Sequence, residues 1–130
     1  MATIFTKIIN GEIPCYKIAE DDKYFAFLDI NPVKKGHTLV IPKIEDDYIF
    51  NLDDDTLSGL VLFAKKVALA MESAMPCKRI GVAVMGMEVP HVHIHLVPME
   101  NEGDLNFAKE KLKLSPAEMN EIAEKIRKEL

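Results

Sequence analysis

The most regular alternation of polar and apolar residues follows Pro90, where the chain reads His-Val-His-Ile-His-Leu-Val. Successive side chains of a β-strand point to opposite faces, so this pattern predicts a strand over residues 91–99 with one apolar face packed on a core. The other face carries His91, His93 and His95, separated by about 6.5–7 Å along the strand. Because imidazole titrates near neutral pH, such a row indicates proton transfer, nucleophilic attack, metal binding or phosphate binding.

Four further strands are predicted before the histidine strand. Short apolar runs bounded by turn residues place them over residues 15–19, 24–29, 37–41 and 79–85. The second and third form an antiparallel hairpin whose loop is longer than the tightest types. Strands that lie in hairpins, rather than alternating with crossover helices, predict an α+β fold with an antiparallel five-stranded sheet.

Three helices are predicted around these strands. A short one over residues 4–10 follows Thr3, which is a suitable N-cap, and the longest spans roughly residues 54–75 after a run of aspartates. A terminal amphipathic helix runs from Ser115 to about residue 130. It begins with an N-cap serine, a proline at the first helical position and the glutamate of a capping box.

The longest helix carries more apolar residues than one face needs. Its helically spaced stripe consists of Leu57, Leu60, Val61, Ala64, Val67, Ala68 and Met71. Leu62, Phe63 and Leu69 fall outside that stripe. A helix with apolar residues on a second face packs against two surfaces, and the second surface can belong to another subunit.

The composition is that of a soluble protein with one domain. The chain has 130 residues, of which 48% are apolar and 28% charged, enough to bury a real core. Its net charge of -5 argues against a general nucleic-acid-binding surface, which needs clustered lysine and arginine. The two cysteines form no CxxC pair, and no secretory signal or membrane-spanning apolar run is evident. We therefore expect free thiols in a reducing cytoplasm and no membrane partner.

Metal binding is the second interpretation of the histidine row. Histidines two residues apart on a strand can both reach one zinc ion, but no cysteine pair or HExxH helix completes a cluster, and the candidate carboxylates are scattered. The fourth histidine, His37, follows Gly36 at the start of a strand. Alone it is typical of a surface residue. Together with the other three histidines and with Lys34, Lys35 and Lys43, it can help bind phosphate oxygens.

Three stretches of the sequence together resemble the histidine triad (HIT) superfamily, and its Hint-like branch most closely. The family motif His-x-His-x-His-x-x, with apolar residues at x, matches residues 91–97. Phe-Leu-Asp-Ile-Asn-Pro at 27–32, followed by Gly-His-Thr-Leu-Val-Ile-Pro-Lys at 36–43, matches a second signature. The opening residues 4–14 match a third. All three have the order and spacing of the family, which makes them far more specific together than the histidine motif alone.

The resemblance covers about residues 3–99 of what we expect to be a single HIT-like domain over 1–130. Residues 100–130 form a C-terminal extension without a motif. The family forms dimers through the long helix and a sheet edge, which implies a homodimer and agrees with the second apolar face of the longest helix. We expect neither a metal nor a cofactor.

The resemblance also implies a role for each candidate site residue. His93 matches the family nucleophile, which forms a covalent nucleotidyl-histidine, and the backbone carbonyl of His91 orients it. His95 and His37 donate hydrogen bonds to phosphate oxygens, and Asp29 accepts hydrogen bonds from the ribose hydroxyls. The expected walls of the base pocket are Phe5, Ile8, Ile13, Phe27 and Leu39.

The residues just before the histidine motif depart from the family pattern. Many relatives have Gly-Gln-Ser or a similar polar run there, whereas this chain has Met87 and Glu88 after Gly86. Methionine lacks the amide donors of glutamine, and an ionised Glu88 repels phosphate. Either Glu88 points away from the substrate and contributes only its backbone N–H, or it is protonated and acts as an acid. We favour the first, because a carboxyl group stays protonated at neutral pH only in a special environment.

The function implied is that of a hydrolase or transferase acting at the α-phosphate of a purine nucleoside phosphoramidate or a related nucleotide. Three alternatives stay open. One is a dinucleoside polyphosphate hydrolase of the Fhit-like branch, which the absence of glutamine at Met87 disfavours. The others are a nucleotide-binding module with little turnover and a zinc protein.

Overall fold

The computed structural model describes residues 2–130, which form three α-helices packed around one five-stranded sheet. The elements in chain order are α1 (Ile4–Ile9), β1 (Lys17–Glu20), β2 (Tyr24–Leu28), β3 (Thr38–Pro42), α2 (Asp54–Ala74), β4 (Arg79–Ala83), β5 (Ile94–Met99) and α3 (Pro116–Arg127). Across the sheet the strand order is β1-β2-β3-β5-β4, and all neighbours are antiparallel. The predicted α+β fold with an antiparallel five-stranded sheet is confirmed.

Side-chain caps determine where the three helices begin. Thr3 Oγ1 accepts the N–H of Thr6 at 3.0 Å before α1, and Asp53 Oδ1 accepts the N–H of Thr56 at 2.7 Å before α2. Ser115 caps α3 as part of a capping box. Each cap satisfies an N–H group that the first helical turn leaves without a partner, so the predicted helix starts are confirmed.

The two faces of the sheet have different covers. Side chains of β2 alternate between them: Tyr24, Ala26 and Leu28 join the main core, while Phe25 and Phe27 join a smaller cluster. The main core also takes in the buried residues of α2 and α3 and the β5 residues Ile94 and Leu96. The smaller cluster is completed by Phe5 of α1 and the β3 residues Leu39 and Ile41. One face is therefore sealed by two long helices, and the other is covered only by the short α1.

The predicted histidine strand is shorter than expected, because β5 begins at Ile94 and both His91 and His93 precede it. The N–H of Val92 donates to the carbonyl of Asp46 at 2.7 Å, so a loop rather than a strand holds this stretch. The alternation of faces nevertheless continues through it. Val92 lies in the main core with Ile94, and the histidines point to the opposite side.

Two details of the apolar pattern were predicted wrongly. In α2, Val61 is exposed, whereas Phe63 is buried because its ring packs on Tyr24 with centroids 5.7 Å apart. The first strand begins at Lys17, and Cys15 packs instead against the smaller cluster beneath α1. Leu62 and Leu69, the other two apolar residues outside the stripe of α2, are exposed.

Both cysteines, Cys15 and Cys77, are free thiols, as expected. Among residues 2–130, no helix combines the length and the apolar character needed to cross a bilayer.

Candidate active site

A pocket of about 390 Å³ opens on the face of the sheet that α1 covers. Ten of the residues predicted for the site line it: Phe5, Ile8, Ile13, Phe27, Asp29, His37, Leu39, Glu88, His93 and His95. His91, the remaining predicted residue, is fully buried beside the pocket and reaches it only through His93. The fold thus brings the three sequence stretches together at one place.

His93 is held in one orientation by its neighbour in the chain. Its Nδ1 lies 2.7 Å from the backbone carbonyl oxygen of His91. A carbonyl only accepts, so Nδ1 carries the proton, and Nε2 of the neutral ring keeps a free electron pair. The His93 side chain lines the pocket, with its ring centroid 4.9 Å from that of His95. This arrangement provides a nucleophilic nitrogen at the pocket wall.

Both ring nitrogens of His91 are used in hydrogen bonds to the protein. Its Nε2 lies 2.8 Å from the carbonyl oxygen of Pro42 and therefore donates, while Nδ1 lies 2.7 Å from Thr3 Oγ1 and accepts from that hydroxyl. Burial lowers the pKa of His91, which keeps the ring neutral and suits this pattern. Thr3 is in turn held by the surface carboxylate of Glu45, which accepts its N–H at 3.2 Å. His91 is consequently fixed as a structural support for the His93 ring.

His37 and His95 form a second chain of hydrogen bonds. The N–H of Val33 donates to His37 Nδ1 at 3.1 Å, so the proton of the neutral His37 ring is on Nε2. That Nε2 lies 2.9 Å from His95 Nδ1 and donates to it, which leaves the proton of His95 on Nε2. Burial lowers the pKa of His37 to about 3 and that of His95 to about 4. Near pH 7, His95 is therefore a neutral hydrogen-bond donor at the pocket wall.

The deep burial of His37 differs from what its position alone suggested. A lone histidine at a strand entrance was interpreted as a surface residue, yet only 1% of His37 is exposed. Its partners Val33 and His95 account for this, because they satisfy both ring nitrogens inside the protein. The structure does bring His37 to the other histidines, but the expected hydrogen bond from His37 to a phosphate oxygen was predicted wrongly, because its Nε2–H is used on His95.

Asp29 lies at the end of β2, where the pocket meets the loop to β3. One carboxylate oxygen accepts the N–H of Asn31 at 2.8 Å, and the other lies 3.6 Å from Nε2 of His37. Burial raises the pKa of the Asp29 carboxyl. Its oxygens retain acceptor capacity toward the pocket, which is what hydroxyl groups of a ligand require.

The opposite end of the pocket is apolar. The Phe5 ring lies with its centroid 5.5 Å from that of Phe27 and 5.1 Å from that of His93, both edge to face. A flat aromatic ligand fits such walls, since edge-to-face and stacked ring contacts are favourable. Met87 and Glu88 are both exposed at the rim. The pocket therefore has an apolar end at Phe5 and a polar end at the histidines.

The HIT domain family matches residues 10–102 of this chain, which include the pocket's histidines and Asp29. This chain belongs to the HIT family. An uncharacterised HIT-like protein of Borreliella burgdorferi is 37% identical over 95% of this chain and 94% of its own length. An adenosine 5'-monophosphoramidase of Schizosaccharomyces pombe is 37% identical over 97% of this chain and 96% of its own length.

The fold of this HIT protein is also close to solved structures. The crystal structure of a HIT-like protein from Bartonella henselae superposes with a TM-score of 0.85 at 32% identity. The match covers 98% of this chain and 96% of the other. The similarity extends beyond the family's matched residues into the C-terminal extension.

Two residues of that extension belong to the pocket of this HIT protein and were missed in the sequence. Phe107 packs its ring 4.6 Å from the centroid of His95 and 5.7 Å from that of His37. Lys111 donates to the backbone carbonyl of Phe107 and also lines the pocket. Phe107 is the one aromatic residue after residue 100, and its isolation in a charged segment was the signal that could have identified it.

Asp29, His37 and His95 bring three candidate ligand atoms within 4.8 Å of one another, which raises the question of a metal. A metal at His37 Nε2 requires the proton to move to Nδ1. That nitrogen faces the N–H of Val33 at 3.1 Å, so two N–H groups would then point at each other. The donor set of this HIT protein therefore fits the hydrogen-bond chain better than a metal ion.

Proposed function

We propose that this protein hydrolyses purine nucleoside phosphoramidates through a nucleotidyl group carried on His93. The observation that supports it most is the 2.7 Å bond between His93 Nδ1 and the His91 carbonyl, since it directs a free electron pair on Nε2 to the pocket. The adenosine 5'-monophosphoramidase of S. pombe, 37% identical, supports the choice of substrate class.

The reaction proceeds in two displacements at phosphorus. Nε2 of His93 attacks the α-phosphorus, the bond from phosphorus to the amine nitrogen breaks, and the amine leaves with one added proton. Water then attacks the same phosphorus, the bond to His93 breaks, and a nucleoside monophosphate and one proton are released. Two easier steps replace one difficult displacement, and the protons balance over the cycle.

The other pocket residues bind the substrate in this proposal. The Nε2–H of His95 donates to a non-bridging phosphate oxygen, and His37 holds His95 in the tautomer that allows this. Asp29 accepts hydrogen bonds from the ribose hydroxyls. The base lies against Phe5 and Phe27 at the apolar end.

The test compares turnover by wild type and His93→Ala on adenosine 5'-phosphoramidate and on a dinucleoside polyphosphate. We expect the wild type to prefer the phosphoramidate and the variant to lose activity by at least about 10³-fold, as for removal of a nucleophile. Quenching with denaturant at alkaline pH, where the P–N bond to histidine persists, followed by intact mass measurement should show a nucleotidyl adduct on the wild type only. Preference for the dinucleoside polyphosphate would favour the Fhit-like alternative, and nucleotide binding without turnover would favour a binding module.

We also propose that the protein is a homodimer that pairs through α2 and β4. Leu62 and Leu69 of α2 are 65% and 53% exposed, and Val82 of the edge strand β4 is 60% exposed. Val82 pairs with Leu96, a core residue beneath α2, so these side chains share one face of the sheet. An exposed apolar face along an unpaired strand edge suits a second copy.

Sedimentation of wild type and Leu62→Glu tests this assembly. The wild type should sediment as a dimer and Leu62→Glu as a monomer at micromolar concentration. Ile44→Glu, which alters an exposed apolar residue outside this face, should remain dimeric. A monomeric wild type would refute the proposal.

A further inference from the structure

The charge balance of the pocket is unfavourable for a nucleotide. A nucleoside monophosphate is anionic, and the pocket wall already includes the carboxyl groups of Asp29 and Glu88. The low pKa values of His37, about 3, and His95, about 4, leave both rings neutral near pH 7. Because an unpaired charge is costly to transfer out of water, a nearby cation would favour binding of an anion at such a site.

Lys111 is the one lysine or arginine among the described residues that line the pocket. Its Nζ lies 5.9 Å from the ring centroid of Phe107, which in turn lies 4.6 Å from that of His95. At the apolar end, by contrast, Phe5 lies beside His93, with the two ring centroids 5.1 Å apart. The positive charge of Lys111 also helps to lower the pKa of His37 and of His95 and opposes the rise in the pKa of Asp29, so the ammonium group is at the polar end of the pocket.

The segment that carries this ammonium group is anchored to the domain. Lys111 donates to the carbonyl of Phe107, and the N–H of Leu112 donates to the carbonyl of Pro32 at 2.8 Å. An ammonium group has three N–H donors, so one bond to Phe107 leaves two for a ligand. Within residues 2–130, no carboxylate forms a salt bridge with Lys111. Its charge is available to an anion.

We propose that Lys111 binds the phosphate group of the nucleotide and supplies the positive charge of the pocket. The proposal rests on the proposed function, because it assumes a nucleotide with its base at the Phe5 end. It assigns phosphate recognition in part to the C-terminal extension, outside the residues that match the HIT family.

Calorimetric titration with adenosine 5'-monophosphate and with adenosine separates this role from a structural one. We expect Lys111→Met to weaken binding of the monophosphate about tenfold, as for loss of a charge-assisted hydrogen bond, and to change adenosine binding less than twofold. Lys111→Arg should retain most of the monophosphate affinity. Lys109→Met is the matched control, because it removes the same charge from the same segment at a residue that lines a different cavity.

The outcomes distinguish this proposal from the proposed function. Equal weakening of adenosine and the monophosphate in Lys111→Met would mean that Lys111 only supports the segment. Equal losses in Lys111→Met and Lys109→Met would mean a general effect of net charge. Either result, or no loss at all, overturns the role of Lys111 while wild-type phosphoramidate turnover still supports the proposed function. A wild type that neither binds the monophosphate nor turns over the phosphoramidate refutes both.

Discussion

His91 and His95 lie two residues to either side of His93, and their surroundings differ in one decisive respect. Both rings are buried and both are hydrogen-bonded. His91 uses both nitrogens on the protein, one on the Pro42 carbonyl and one on the Thr3 hydroxyl. Among the described residues, His95 bonds through Nδ1 alone, to His37, and its side chain lines the pocket.

The difference shows why histidines in one repeated motif are not equivalent. A neutral imidazole has one donor and one acceptor, and a ring with both occupied has nothing left to offer a ligand. His91 is therefore suited to support, and His95 to contact with substrate. The three predictions that follow test this contrast, from the largest expected effect to the smallest.

The largest effect is expected when the two flanking histidines are each replaced by alanine. His95→Ala should lower kcat for phosphoramidate hydrolysis about 10²–10³-fold, because it removes the donor that the proposed function assigns to the developing phosphate charge. His91→Ala should act first on stability, since it leaves the Pro42 carbonyl and the Thr3 hydroxyl without their partner. Urea unfolding and steady-state kinetics measure the two effects. Equal losses of kcat under conditions where both variants are folded would contradict the contrast.

A smaller effect is expected at Thr3, whose hydroxyl bonds to His91. Thr3→Val keeps the side-chain shape but leaves buried Nδ1 of His91 without a donor and α1 without its cap, which together should lower the free energy of unfolding by about 1–3 kcal/mol. If His91 supports the His93 ring, kcat should also fall, by about tenfold. Thr3→Ser retains the hydroxyl and should restore both quantities. If serine and valine behave alike in kinetics, the support does not pass through this hydroxyl.

The pH dependence of stability should show the smallest effect. The pKa of His37 is about 3 and that of His95 about 4 in the folded protein, against 6.5 in the unfolded chain. As the pH falls from 7 to 5, the unfolded chain binds protons that the folded protein does not, so the free energy of unfolding decreases. His37 alone should lower the free energy of unfolding by about 2 kcal/mol between pH 7 and pH 5.

Urea unfolding of wild type and His37→Asn at pH 7 and pH 5 measures this contribution. Asparagine retains an acceptor for the Val33 N–H but does not titrate, so the variant should lose less stability than wild type. The charged and titratable groups near His37 are Asp29, His93, His95 and Lys111. The raised pKa of Asp29 opposes this effect, because it increases the free energy of unfolding as the pH falls. The Asp29→Asn variant is therefore also compared with the Asp29→Asn, His37→Asn double variant. Identical losses of stability in these two proteins between pH 7 and pH 5 would contradict the prediction.

Much of the fold could be predicted because its signals are local. Thr3, Asp53 and Ser115 each mark a helix start through a hydrogen bond to a residue three positions away. The alternation around Ile94 specified which side of the chain faces the core. The start of β5 could not be predicted from local pattern, since the stretch at Val92 bonds to a loop 46 residues earlier rather than to a strand.

Local pattern alone predicted the site only where its residues are close in sequence, whereas distant residues such as Phe5 and Asp29 were predicted from the resemblance to the HIT family. The motif placed His91, His93 and His95 together, but the burial of His37 depends on a partner 58 positions away. Phe107 and Lys111 lie in a segment with no regular periodicity. Its position depends on tertiary contacts such as the bond between Leu112 and Pro32, which no local pattern reveals.

The Thr3 hydroxyl has a consequence for altering this protein by design. The same oxygen accepts from the first turn of α1 and donates to His91, while α1 also carries Phe5 and Ile8 of the pocket wall. A change that moves α1 to accommodate a different base would therefore also shift the support of His93. Under the proposed function, base preference and reaction rate would thus both depend on the position of the Thr3 hydroxyl, and variants selected for a new base should need a compensating change near His91.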